Sequence, residues 1–77
     1  MNRQRRATLR HAQELLSSAA KIVEMVKDEE QESLDNYPEN MQDSDRCKVM
    51  EDAVDHLDDA LSAIQEAEDC IDNAMGG

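Results

Sequence analysis

The sequence predicts an all-α fold: an antiparallel two-helix hairpin, residues about 4–34 and 44–74, dimerising into a four-helix bundle or coiled coil. Three observations predict it. Apolar residues recur every three and four positions in two long segments; neither segment contains glycine; and the only proline and only aromatic ring share the short break between them. At 77 residues the chain is read as one domain, with a loop at about 35–43.

In the first segment Leu9, Ala12, Leu16, Ala19, Val23 and Val26 alternate at intervals of three and four, and Leu15 and Ile22 widen the stripe on one flank. That period places them on one side of a helix. The break, LDNYPENMQDSDR, stops it: Pro38 disfavours helical geometry at Tyr37, and Asn36 is a common helix terminator. Ser44 is the natural N-cap of the second helix, and Asp45 suits its first turn.

The second segment carries Cys47, Met50, Val54, Leu57, Leu61, Ile64, Ile71 and Met75, close to four heptads, with Glu68 where another apolar residue would stand. Beside it Ala53, Ala60, Ala67 and Ala74 recur every seven residues. They would let a neighbouring helix approach closely, although alanine is also simply the best helix former. Gly76 and Gly77 end the segment.

A connection of eight or nine residues lays the helices side by side, pairing residues whose numbers total about 80. Charge supports that pairing. Arg3, Arg5, Arg6 and Arg10 occupy a helix start, and Glu66, Glu68, Asp69 and Asp72 a helix end, each unfavourable for its own helix dipole. Asp28, Glu29, Glu30 and Glu32 crowd the other end, facing Arg46 and Lys48. An antiparallel neighbour, from the same chain or another, relieves each. So few large apolar side chains favour self-association, and the expected dimer core is Leu9, Leu16, Val23, Met50, Leu57, Ile64 and Ile71.

The net charge of −11 argues against direct nucleic-acid binding or attachment to an anionic membrane, and fits a basic partner. No apolar run is long enough to span a bilayer, and no secretory signal follows the basic start. Cys47 and Cys70, 23 positions apart on one helix, lie too far apart to bridge, and two free thiols suit a reducing cytoplasm.

Four places could carry chemistry or binding. Asp52, His56 and Asp59 share a helix face, a possible but water-solvated cation site, and no metal or other cofactor is expected. Glu29 with Glu32, and Asp55 with Asp58, resemble the acid pairs by which all-α nucleotide pyrophosphohydrolases hold Mg²⁺, although such pairs arise readily among nineteen acids. The arginine cluster could hold phosphate, or merely balance charge. Finally, Glu51, Asp52, Asp55, Asp58, Asp59, Glu66, Asp69 and Asp72 form an outer stripe roughly 32 Å long at about 1.5 Å per residue. It is either a solvated face or an imitation of DNA phosphates. The tip, with Tyr37, Glu39, Asn40 and Gln42, either closes the bundle end or meets a partner.

Residues 22–75, above all KDEEQESLDNYPENMQDSDR and the following MEDAVDHLDDAL, resemble small acidic helical proteins of unknown function encoded by phages and prophages of Gram-positive, often gut, bacteria. The resemblance implies a phage gene product acting in the bacterial cytoplasm. The chain departs from that pattern at Cys47 and His56, so no metal or redox role comes with it. The expectation is a non-enzymatic phage accessory protein that binds and inhibits or modulates a basic host protein, in its most specific version a nucleic-acid-handling, restriction or CRISPR component, by acidic DNA mimicry. The other readings are a Mg²⁺-dependent pyrophosphohydrolase and a structural or assembly protein of the virion.

Overall fold

A computed structural model describes residues 1–41 and 44–76. Helix α1 runs Arg3–Asp35, a single 3-10 turn covers Glu39–Met41, and α2 runs Asp45–Ala74. The two helices lie antiparallel in a rod 59 Å long and 15 Å across. The helical hairpin expected from the periodicity is therefore present, with boundaries within a residue of those expected.

The ends are closed by local chemistry. Asn2 Oδ1 accepts the Arg5 amide at 2.8 Å, and Ser44 Oγ accepts the Cys47 amide at 3.2 Å, each satisfying a donor that the first turn leaves unpaired. Asn36 closes α1 through its amide to the Glu32 carbonyl, without a left-handed backbone. Gly76 follows α2 at φ +85°, where the lack of a Cβ makes the turn inexpensive.

Among the described residues only Cys47 and Val54 are buried, at 1% and 8% exposure. Leu9, Leu16, Val23, Met50, Leu57, Ile64 and Ile71 are half-buried, as are Ala12, Ala19, Leu34, Leu61 and Met75. The reason is geometric: two cylinders touch along one line, so each hides a stripe and leaves its flanks in water.

One detail of register differs from expectation. Val26 is 41% exposed, and Lys27 takes the inward position beside it. A helix of 3.6 residues per turn drifts about 20° per heptad from a strict 3.5 repeat, so the seam steps from one side of Val23 to the other. Cross-helix bonds join Gln13 to Asp72, Gln13 to Glu68 and Lys27 to Asp58. Their numbers total 81 to 85, close to the expected 80, and the excess is of the kind that side chains tilted toward the start of their own helices produce.

Candidate interaction surfaces

The cross-helix bonds give the hairpin two unlike sides. Gln13 Nε2 donates to Asp72 Oδ1 at 2.8 Å and to the Glu68 carbonyl at 3.4 Å; Lys27 Nζ donates to Asp58 Oδ1 at 2.8 Å. These residues mark one long side. In an antiparallel pair, the opposite flanks of both helices then meet on the other long side. There α1 presents Leu15, Ile22 and Val26, at 59, 59 and 41% exposure, and α2 presents the line of Ala53, Ala60 and Ala67. The sequence marks this flank at Leu15 and Ile22. It does not reveal that the alanine column lies on the same side.

The acidic stripe occupies the polar side and the outer surface of α2. Glu51, Asp52, Asp55, Asp58, Asp59, Glu66, Asp69 and Asp72 are all exposed. Asp58 accepts from Lys27, Asp69 from Gln65 and Asp72 from Gln13. Among the described residues, Glu51, Asp52, Asp55, Asp59 and Glu66 have no ion-pair or side-chain hydrogen-bond partner. The hydrogen bond to Asp58 raises the pKa of Lys27 above its ordinary 10.5, against the opposing effect of desolvation, the next largest cause; attraction to Asp58, Asp28 and Glu24 adds to the rise.

At the tip Tyr37 is half-buried, while Glu39 and Asn40 are exposed. Backbone bonds from Tyr37 to Leu34, Met41 to Pro38 and Ser44 to Met41 fold the connection into successive turns. Gln42, grouped with this tip in the sequence, lies outside the described residues.

The other sequence candidates separate. Asp52, His56 and Asp59 are exposed, and among the described residues no three His, Cys, Asp or Glu side chains converge as metal ligands. Glu29 and Glu32 border a shallow surface hollow made of α1 residues alone, with Lys21, Glu24, Met25 and Asp28, whereas Asp58 is engaged by Lys27 on the polar side. The two acid pairs therefore do not share a site. Arg6 and Arg10 border an open hollow with Gln13, Asp72, Met75 and Gly76, but among the described residues no arginine forms an ion pair. Gln13 holds the carboxylate that the arginines were expected to face. Neither Gln13 nor Lys27 stands out in the sequence; the only signal is a hydrogen-bonding side chain one step off an apolar heptad position.

Cys47 is buried and Cys70 exposed. Among the described residues no helix is long and apolar enough to cross a membrane. Set against known proteins, the chain matches no family model, no curated protein and no solved structure.

Proposed function

We propose that this chain is a non-enzymatic accessory protein of a phage or prophage that binds a basic host protein and inhibits or modulates it. In this reading two hairpins join as a four-helix bundle, and the outer carboxylates of α2 make the contact. The partner's most specific form is a nucleic-acid-handling or defence component whose basic groove accepts carboxylates in place of phosphates.

One observation carries the reading. Asp52, Asp55, Asp59 and Glu66 stand exposed along a continuous helix and, among the described residues, take part in no ion pair. A fixed line of uncompensated charge attracts an oppositely charged surface over a Debye length and orients it on approach. The Gram-positive phage setting comes from the resemblance of residues 22–75 alone.

The test is capture of a partner from host lysate on tagged protein, followed by elution with duplex DNA and with salt. Capture that both release, and that the fourfold variant Asp52→Lys, Asp55→Lys, Asp59→Lys and Glu66→Lys abolishes, is the expected result. Undiminished capture by that variant would remove the mechanism. Light scattering on the same sample should give twice the 8.7 kDa chain mass, and one chain's mass would remove the bundle.

A further inference from the structure

The long side of the hairpin opposite the Lys27–Asp58 pair carries no partner in the chain, and its composition specifies one. Along α2, the line from Val49 to Ala74 in alternating steps of four and three contains no carboxylate, although ten acids lie in that helix. On α1 the same side exposes Leu15, Ile22 and Val26. A lengthwise face of a body 59 by 15 Å is of the order of 900 Å², close to the ~800 Å² that each partner buries in a stable complex. Such a long, straight face, free of carboxylates along α2 and apolar along α1 as far as Glu29, suits another straight rod of equal length.

We infer that a second copy of this chain covers this face, with its loop at the same end as the first. The inference rests on the proposed bundle and fixes its orientation. Two-fold symmetry allows two face-to-face arrangements. With the axis across the rods, the loops lie at opposite ends and α2 lies along the partner's α2. Each α2 has ten acids against Arg46 and Lys48, a net charge of −8, so this sets the two most negative elements side by side. It also sets alanine on alanine along one seam and Leu15 and Ile22 on their like along the other, giving two seams of unequal width.

With the axis along the rods, each α1 lies along the partner's α2. The six cations and seven acids of α1 give it a net charge of only −1, so it separates the two acidic helices. Its arginine-rich start then stands beside the partner's acidic end, as it does within the chain. The cross-helix bonds, whose residue numbers total 81 to 85, put Ile22 level with residues 59 to 63, and Leu15 with residues 66 to 70. Large side chains of α1 therefore meet the Ala60 and Ala67 column, and both seams are alike. Small residues facing large ones allow interdigitation at one interaxial spacing. Both Tyr37–Asn40 tips then share one end.

A nitroxide at Asn40→Cys in a Cys70→Ser background reads the orientation, because Cys47 at 1% exposure escapes labelling. Pulsed dipolar spectroscopy should give a tip-to-tip distance below about 30 Å, two or three helix spacings of roughly 10 Å. A distance near the 59 Å rod length would overturn the orientation while leaving the dimer intact. No dipolar signal would overturn the dimer itself. Gln4→Cys at the open end, in the same background, should also give a short distance, so the answer does not depend on one labelled site folding well.

Discussion

Lys27 Nζ lies 2.8 Å from Asp58 Oδ1, the only ion pair that crosses between the helices among the described residues. With Gln13 and Asp72 it sets which side of the hairpin is polar and, by exclusion, which side is left apolar.

Breaking that pair should lower stability slightly, because both partners are partly in water. Lys27→Met should reduce the melting temperature by a few degrees at most, and Lys27→Asp combined with Asp58→Lys should restore it. The folded-state pKa of Lys27 lies above the unfolded one. The pair's stabilisation is therefore whole below the ordinary lysine value of 10.5 and disappears as pH rises through the folded pKa. Melting curves of wild type and Lys27→Met should thus differ from pH 7 up to 10.5 and converge only as pH rises through the higher folded pKa. A difference that persists at higher pH would point to lost packing of the lysine stem instead.

Val54 is one of two buried residues among those described, at 8% exposure. Val54→Ala should cost roughly 2 kcal/mol in chemical denaturation, through lost transfer energy and an unfilled space. Met25→Ala, on the outer surface at 55% exposure, should change stability by less than about 0.5 kcal/mol. Equal effects would mean that the helices do not meet along Val54.

The two N-caps should differ in weight. Ser44→Ala removes the acceptor for the Cys47 amide and should cost about 1 kcal/mol, of which Ser44→Gly loses only a few tenths. Asn2→Ala removes the equivalent bond to Arg5. Its effect should be smaller, because that first turn is exposed throughout whereas Cys47 is buried, so it opens locally before global unfolding. Amide exchange at Arg5 and Cys47 reads the two directly.

The thiols should react in sequence. An alkylating reagent added to native protein should modify Cys70, which is exposed, and reach Cys47 only on unfolding. Peptide mass spectrometry counts the two. Equal rates would mean that the α2 start opens readily.

How much of this was legible in the chain depends on whether the deciding force is local. Period, caps and breaks are local, so Ser44, Pro38 and the three-and-four spacing placed two helices and the turn from sequence alone. The acidic stripe was legible for the same reason, since helical geometry puts Asp52, Asp55 and Asp59 on neighbouring faces wherever the helix lies. Packing of one helix on the other decided the rest. Whether Val26 or Lys27 faces inward follows from helical drift against a partner. Whether Leu15 shares a side with Ala67 or opposes it follows from the antiparallel crossing fixed by Lys27–Asp58 and Gln13–Asp72. No spacing within one helix carries that information, because it is a relation between two surfaces that exists only once they touch.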